Sequence, residues 1–213
     1  MTTTDIVEIN IGYSKKKTAY KIYIDYEYVF LLYKQDIKVY QLEIGNDVTL
    51  DVFNRIIEDT VFRRAKQKSF AILKHMDRTE NELYKKLRDA YYTDDIIDRT
   101  ITYLKEYNYI NDKRYASNFI RVRKDTLSII SIKTKLMQKG INKELLEKII
   151  AIEYDINEYD IDPEIKAINK AILKKCKDTT ALNWEDKQKL IASLYRKGFD
   201  LDKIQHCINK KTL

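Results

Sequence analysis

The sequence predicts a mainly α-helical protein, with three tandem three-helix repeats that form an elongated, curved solenoid and a small antiparallel β extension at the N-terminus. Three observations predict this fold. From Thr49 onward, apolar residues recur at the three- and four-residue spacing of a helix. One set of apolar positions recurs three times along the chain. Glycine occurs four times and proline once in 213 residues, which disfavours a mostly β fold with many tight turns.

The N-terminal 45 residues differ from the rest of the chain. Three apolar runs, at residues 6–11, 19–24 and 28–33, are rich in β-branched and aromatic residues, and polar turns at residues 12–18 and 25–27 separate them. Alternation and this composition are typical of strands. The short connections favour an antiparallel sheet of about three strands. Such a sheet is marginal alone, so it needs a partner to pack on.

Most of the predicted helices begin at a residue whose short side chain can accept a hydrogen bond from an N–H group of the first turn. Thr79 and Glu82 have the spacing of a capping box, ahead of a helix over about residues 80–89. The other predicted N-caps are Thr49 or Asp51, Thr93, Asn111 or Asp112, Ser128 or Ser131, Asn142, Asn183 and Asp200. Gly140 and Gly198 predict helix ends, because glycine adopts the left-handed conformation that follows many helices.

The internal repeat becomes visible when Leu87, Leu136 and Leu194 are aligned. Apolar or aromatic residues then recur five, ten and fourteen positions later in all three segments. These residues are Tyr92, Ile141 and Phe199; Ile97, Leu146 and Ile204; and Ile101, Ile150 and Ile208. The spacing fits three-helix units with linkers of different length. The first repeat has Tyr91 where the others have glycine, so we expect its helix end to be made differently.

These patterns divide the chain into four segments. Residues 1–60 hold the β extension and the start of the first helix, and repeats follow at residues 61–110, 111–155 and 156–213. An acidic stretch at residues 153–164 is the expected hinge between the second and third repeats. Each repeat is too small to bury its own apolar face, so stacked repeats would share a core and present a long surface to an extended partner.

Positive charge is concentrated in the middle of the chain. The net charge is +7, and residues 61–150 alone carry 21 Lys and Arg against 12 Asp and Glu. Such a segment indicates an anionic partner, either nucleic acid or an acidic protein surface. The alternative is compositional, because Lys, Ile, Asn and the 17 Tyr residues are all plentiful, as A/T-rich coding would give.

Basic residues of the repeats are the candidate contacts with DNA or a partner protein. The predicted contacts are Arg121, Arg123, Lys124, Lys133, Lys135, Lys139, Arg196 and Lys197. The first six would form one patch if the two helices that carry them are neighbours. Lys210 and Lys211 extend the last cluster, and a further cluster is Arg63, Arg64, Lys66 and Lys68. A solvated helix surface is the alternative for each cluster. Tyr115 and Phe119 could stack on bases, although their helical spacing more often means core.

The sequence predicts no catalytic residue, no cofactor and no metal site. His75 and His206 lie in different repeats with no metal-ligand spacing around them, and four glycines cannot readily build a phosphate loop. Cys176 and Cys207 are expected at half-buried apolar positions. No apolar run approaches the roughly 20 residues of a membrane span, and no signal peptide is apparent. We therefore expect a reduced, cytoplasmic protein that is not an enzyme and has no membrane partner.

The most specific motif of the chain is the block Tyr109-Ile-Asn-Asp-Lys-Arg-Tyr-Ala116. In this block the chain resembles the RecX family, the bacterial regulators of the RecA recombinase, and the resemblance covers nearly the whole chain. The other matching stretches are residues 21–30, Arg78-Thr-Glu-Asn-Glu-Leu83, residues 132–141 and Leu194-Tyr-Arg-Lys-Gly-Phe199. Two features depart from the family pattern, namely Tyr91 at the usual glycine and the long acidic linker before Pro163.

The resemblance implies a non-enzymatic modulator. We also expect the protein to be a monomer. RecX-like proteins bind along the groove of the RecA–DNA filament and generally suppress recombinase, ATPase and coprotease activities. The matching motif residues are scaffold: Leu83, Leu87, Tyr109, Ile110, Ala116 and Leu136 resemble core, and Asn111 and Asp112 resemble caps. One alternative is a helical-repeat protein that binds single-stranded or duplex DNA directly, without RecA. Another is a helical protein–protein scaffold with no DNA involvement.

Overall fold

The computed structural model describes residues 1–11, 17–155, 160–176, 179 and 181–209. Within them the chain is mainly helical, with an antiparallel sheet at the N-terminus, so the prediction of a mainly α-helical fold with a small β extension is confirmed. The strands are β1 (Thr3–Ile11), β2 (Lys17–Ile24) and β3 (Glu27–Leu32). The helices are α1 (Lys34–Tyr40), α2 (Leu50–Arg55), α3 (Arg63–Leu73), α4 (Glu80–Arg88), α5 (Asp94–Glu106), α6 (Asp112–Arg123), α7 (Ile129–Gln138), α8 (Lys143–Glu153), α9 (Pro163–Leu173), α10 (Trp184–Tyr195) and α11 (Leu201–Asn209).

Two compact units divide the chain. The first unit is Met1–Ile110 and the second unit is Asn111–Leu213. The first unit contains the sheet and helices α1 to α5, and the second contains helices α6 to α11. In the described part of the chain, no helix is long and apolar enough to cross a membrane.

The sheet has the strand order β1-β2-β3, and both pairs are antiparallel. Asp25 and Tyr26 connect β2 to β3 with φ angles of 48° and 67°. Two left-handed residues in succession are what a tight turn between right-twisted strands requires. The predicted polar turn before β2 lies mostly outside the described residues, since it falls at residues 12–18.

One face of the sheet packs on the helical part of the first unit. Ile22 and Phe30 of the sheet are almost fully buried in one cluster with Ile56, Val61 and Ala65. Alternate residues of a strand point to the same face, so the alternation in the sequence supplies this apolar side. The helices thus provide the partner that a small sheet needs for stability.

Two features of the first unit were not predicted from the sequence. Helix α1 follows β3 directly. Its Asp36 accepts hydrogen bonds from the backbone N–H of Tyr33 at 2.8 Å and from the two terminal guanidinium nitrogens of Arg64 at 2.5 and 2.9 Å. A π-helical segment, Ile56–Phe62, joins α2 to α3. The contact between Asp36 and Arg64 joins distant parts of the chain, and a local sequence pattern does not reveal such a contact.

The structure confirms most of the predicted helix starts. In each case the side-chain oxygen of the N-cap accepts a hydrogen bond from a backbone N–H in the first turn. The N-caps with this bond include Thr49, Thr79, Asn111, Ser128, Asn142 and Asn183. Asp200 accepts a similar bond from the backbone N–H of Lys203 at 3.0 Å. Thr93 is the N-cap of α5, but its side chain makes no such bond.

The prediction that the first repeat ends its helix differently is wrong. Tyr91 has a φ of 67°, close to the 90° of Gly140 and the 80° of Gly198. The next residue in each repeat donates its backbone N–H to the carbonyl of the aligned leucine, at 3.2, 3.1 and 3.4 Å in chain order. All three helices therefore end in the same Schellman-type turn. Tyrosine in the left-handed region carries a steric cost that glycine does not.

The aligned leucines lie at equivalent places in the three repeats. Leu87, Leu136 and Leu194 are fully buried, each in a separate hydrophobic cluster. The residues ten positions later in the alignment are buried in the same clusters: Ile97, Leu146 and Ile204. The repeat seen in the sequence is therefore a repeat of core positions.

The acidic stretch between the second and third repeats is partly structural. Asp162 caps α9 ahead of Pro163, and the ammonium of Lys203 lies 2.7 Å from Asp162 and 3.0 Å from Glu164. Glu153 at the other end is buried and ion-paired. Residues 156–159, which include Glu158, lie outside the described residues, so the hinge stays a prediction.

Candidate functional site

Three predicted contact residues lie where α6 ends, and two of them bind Glu153 of α8. Arg121 donates to the Glu153 carboxylate at 2.8 Å, and Lys124 donates to the Glu153 backbone carbonyl at 2.8 Å. The Ser117 hydroxyl donates to the same carboxylate. Arg123 is exposed and makes no ion pair with any described residue. Of the three cations, Arg123 is thus the one best placed to meet a partner.

The Glu153 contact changes the titration of both partners. The hydrogen bond from Arg121 lowers the pKa of Glu153 and outweighs its burial, which acts in the opposite direction, while Ser117 adds to the lowering. The same hydrogen bond raises the pKa of Arg121. Glu153 is therefore ionised near neutral pH and offsets much of the local positive charge.

The three predicted lysines of α7 have different surroundings. Lys133 is ion-paired with Glu147 of α8 at 2.7 Å. The ammonium of Lys139 lies 5.5 Å from the centre of the Tyr115 ring. Lys135 is exposed and has no ion pair within the described chain. The four-residue spacing of Lys135 and Lys139 therefore does not give them equivalent environments.

The structure does not bring the six cations of α6 and α7 into one compact patch. Lys139 lies beside Tyr115 near the start of α6, whereas Lys124 directly follows α6. Nine residues of helix separate Tyr115 from Lys124, or about 13 Å at about 1.5 Å per residue. The cations form two groups, one around Glu153 and one along α7. Tyr115 and Phe119 pack against the core of the second repeat.

Arg196 and Lys197 of the third repeat lie close to the second repeat. Both side chains are exposed. The Lys197 carbonyl accepts hydrogen bonds from the hydroxyls of Ser128 and Ser131, at 2.7 and 2.9 Å. This contact places the end of α10 against the start of α7. The predicted Lys210 and Lys211 lie outside the described residues.

Two further lysines, which the sequence analysis missed, accompany Lys197. Lys170 and Lys174 line a cleft of about 520 Å³ together with Lys197, and the floor of this cleft includes Leu127 and Phe199. Lys170 and Lys174 are four residues apart at the end of α9, a spacing that puts both on one helix face. That spacing is a signal that the sequence contained, although it did not show which helix ends face each other.

The cluster that begins at Arg63 also divides on folding. Arg64 is held by Asp36, while Arg63 and Lys68 are exposed. Lys66 is half-buried beside aromatic rings. This cluster therefore supplies one structural ion pair and a smaller number of accessible cations.

The described residues contain no group of three or more His, Cys, Asp or Glu side chains that could hold a metal ion. His75 and His206 are both exposed, in separate units. Cys207 is buried and Cys176 is half-buried. The carboxylate pairs Asp94–Asp95 and Glu185–Asp186 lie in first helical turns, where the helix dipole stabilises them.

Comparison with known proteins identifies the repeats. Residues 65–104 match the model of the first three-helix domain of RecX, and residues 162–208 match the model of its third three-helix domain. A crystal structure of a regulatory protein RecX superposes with a TM-score of 0.63 at 20% identity and covers 90% of this chain and 95% of that one. The crystal structure of RecX from Lactobacillus salivarius superposes with a TM-score of 0.55 at 24% identity and covers 69% of this chain and 94% of that one.

The fold and these matches define a protein of tandem three-helix domains. The regulatory protein RecX of Clostridium acetobutylicum is 30% identical over 89% of this chain and 88% of its own length. The regulatory protein RecX of Clostridioides difficile is 31% identical over 89% of this chain and 87% of its own length. The chain belongs to the RecX family.

Proposed function

We propose that this protein binds the RecA–DNA filament and inhibits the recombinase, ATPase and coprotease activities of RecA in DNA repair. The observation that carries the proposal is the match to first and third RecX three-helix domains in one chain. The accessible cations of the second unit support it, since the filament contains a polyanion. The protein would act without a cofactor and as a monomer in the cytoplasm.

Four basic residues are the favoured contacts in this proposal. Arg123, Lys135, Arg196 and Lys197 are exposed, and none has an ion pair with a described residue. Arg121 and Lys133 are each satisfied by a carboxylate, so they add less net charge to the surface. Lys124 and Lys139 are also proposed contacts, of lower weight than these four.

Repetition of similar domains explains how modest contacts can give useful affinity. Each contact made along a polymeric partner holds the next one at a high effective concentration. Contacts with DNA phosphates release counterions, so this part of the binding weakens steeply as salt rises. Inhibition then follows if the bound protein holds neighbouring RecA protomers in one arrangement.

The test is the activity of RecA on single-stranded DNA with increasing amounts of this protein. ATP hydrolysis and strand exchange are both expected to fall between sub-stoichiometric and equimolar ratios. Sedimentation of RecA filaments, with and without DNA, should show the protein in the pellet. If both activities are unchanged and the protein stays in the supernatant, the proposal is wrong. If it sediments and stimulates, inhibition is wrong and modulation stands.

A further inference from the structure

The first unit carries five aromatic rings in two contacting groups, which together we call the aromatic strip. Phe62, Tyr103 and Tyr107 form one group, and Phe70 and Tyr109 form the other. The rings of Phe62 and Tyr103 have centroids 6.3 Å apart, and those of Tyr103 and Tyr107 are 4.6 Å apart. Phe70 meets Tyr109 edge to face at 4.8 Å. These separations are those of aromatic pairs in direct contact.

Helical spacing on two neighbouring helices builds the strip. Phe62, Lys66 and Phe70 follow one another at intervals of four residues, from the last residue of the π-helical segment into α3. Tyr103 and Tyr107 are also four apart, at the end of α5. Residues four apart share a helix face, so two packed helices bring both rows together.

Two rings of the strip are well exposed. Tyr107 is 63% exposed and Tyr109 is 50% exposed, so the expectation that Tyr109 is a core residue is wrong. Phe62, Phe70 and Tyr103 are half-buried and hold the exposed rings in place. An exposed ring that a packed neighbour already orients loses little freedom when a ligand stacks on it. The strip therefore offers pre-positioned π surfaces to the solvent.

Cations accompany the rings along the same edge. The ammonium of Lys66 lies 4.4 Å from the centre of the Phe62 ring and 4.7 Å from that of Tyr103. Arg63 and Lys74, near the two ends of α3, are exposed and have no ion pair with a described residue. They are eleven residues apart, or about 16 Å at about 1.5 Å per residue.

Carboxylates cancel only part of this positive charge. Glu58 pairs with Arg99 at 2.9 Å, beside Phe62, and Glu80 pairs with Lys105 at 3.0 Å. Arg63, Lys66 and Lys74 have no ion pair with a described residue, and Glu58 and Asp59 line the same cleft as Arg63 and Lys66. The strip therefore combines flat apolar faces with cations spaced along one edge.

We propose that the aromatic strip binds single-stranded nucleic acid, with bases stacked on Tyr107 and Tyr109 and phosphates near Arg63, Lys66 and Lys74. A base offers a flat face for stacking and a phosphate within reach of a neighbouring cation. A duplex hides its base faces, so it can use the cations but not the rings. This site lies entirely in the first unit and does not depend on RecA.

The test is direct binding of the purified full chain to a fluorescein-labelled oligothymidylate of about 20 nucleotides, followed by anisotropy without RecA. The Tyr107→Ala variant is expected to bind about tenfold more weakly, since it removes one stacking face. Tyr107→Phe keeps the ring and should bind like the wild type. The same substitution, Tyr107→Ala, should weaken binding to a duplex of the same length much less.

Tyr26→Ala is the matched control. Tyr26 is 89% exposed in the first unit, in the turn between β2 and β3, outside the strip. Circular dichroism should confirm that every variant is folded. Equal affinities for Tyr107→Ala, Tyr26→Ala and the wild type would overturn the proposal, as would equal losses on single-stranded and duplex probes. Neither result would bear on inhibition of RecA.

Discussion

Glu153 shows how one buried carboxylate can reduce the positive charge that a basic cluster presents to a partner. From the sequence, Arg121 and Lys124 count as surface charge and Glu153 as part of an acidic linker. In the structure, Glu153 is buried and binds Ser117, Arg121 and Lys124 at once. A carboxylate that receives several charge-assisted bonds stabilises the fold more than an exposed pair does.

We expect Glu153→Gln to destabilise the second unit by about 1–3 kcal/mol near neutral pH, because a charged acceptor of hydrogen bonds is lost. The pKa of Glu153 is lowered in the folded state, so its contribution is complete above the ordinary value of 4.5 and is lost as the pH falls through the lowered value. Urea unfolding of both proteins from about pH 7 to about pH 3 measures this.

The difference between wild type and Glu153→Gln should therefore shrink on acidification. Glu147→Gln is the matched control, since Glu147 is about half exposed and pairs with Lys133 at the surface. Its effect is expected to be below about 1 kcal/mol. A constant difference across the pH range would show that Glu153 does not act through its charge.

At the scale of elements, the three repeats share one way of ending a helix. The left-handed residue is Tyr91 in the first repeat and glycine in the others. The carbonyl of Tyr91 accepts a hydrogen bond from the hydroxyl of Tyr28, and Lys21 lies 4.8 Å from the centre of its ring. These contacts with the sheet help to hold a conformation that a tyrosine seldom adopts.

Gly198→Ala is expected to destabilise the protein by about 2–4 kcal/mol. Its φ of 80° disfavours any Cβ, and an added Cβ would lie 3.1 Å from both the Cβ of Ile130 and the Oγ of Ser128. Gly45→Ala is the control, because Gly45 has a φ of 86° with no heavy atom within 4 Å of an added Cβ. Gly45→Ala should cost only about 1 kcal/mol.

Thermal or urea unfolding of the two glycine variants separates backbone strain from crowding. The excess loss in Gly198→Ala measures the close approach of α7 to the end of α10. Equal losses in the two variants would contradict this tight contact between the second and third repeats.

On the scale of the whole molecule, each unit offers its own type of surface to an anionic partner. The second unit has exposed cations on α6, α7 and the end of α10, and the first has cations beside aromatic rings. Point charges bind phosphates of single or double strands alike, whereas stacking needs unpaired bases. The two units should therefore differ in their response to salt and to strandedness.

The double variant Arg123→Glu/Lys135→Glu is expected to weaken binding to duplex DNA and to reduce the slope of log K against log salt by about 1.5 to 2. The reason is the loss of two phosphate contacts. Fluorescence anisotropy between about 50 and 200 mM salt measures the slope. Lys133 is left unchanged, because a glutamate there would face Glu147.

Lys85→Glu/Lys86→Glu is the control for net charge, since both lysines are exposed on α4 of the first unit. It changes the total charge by the same amount. If both double variants reduce the slope equally, the effect belongs to overall charge, and Arg123 and Lys135 are not contacts.

The sequence alone determined most of the helix starts, the sheet and the repeated core positions. Thr79, Asn142 and Asn183 cap helices by accepting bonds from residues three positions later, so their spacing is sufficient information. Burial of Leu87 and its equivalents follows from periodicity in the same way. Both patterns depend on residues that are close together in the sequence, so the sequence alone is enough to predict them.

Only the tertiary structure decided which charges and rings are available to a partner. Glu153 lies 32 residues from Arg121, and Phe62 lies far from Tyr103 along the chain, yet each pair is in contact. The left-handed Tyr91 is likewise held by contacts with the sheet. Pairings between distant residues depend on how elements pack, because the free energy of a contact is realised only when both partners arrive at one place.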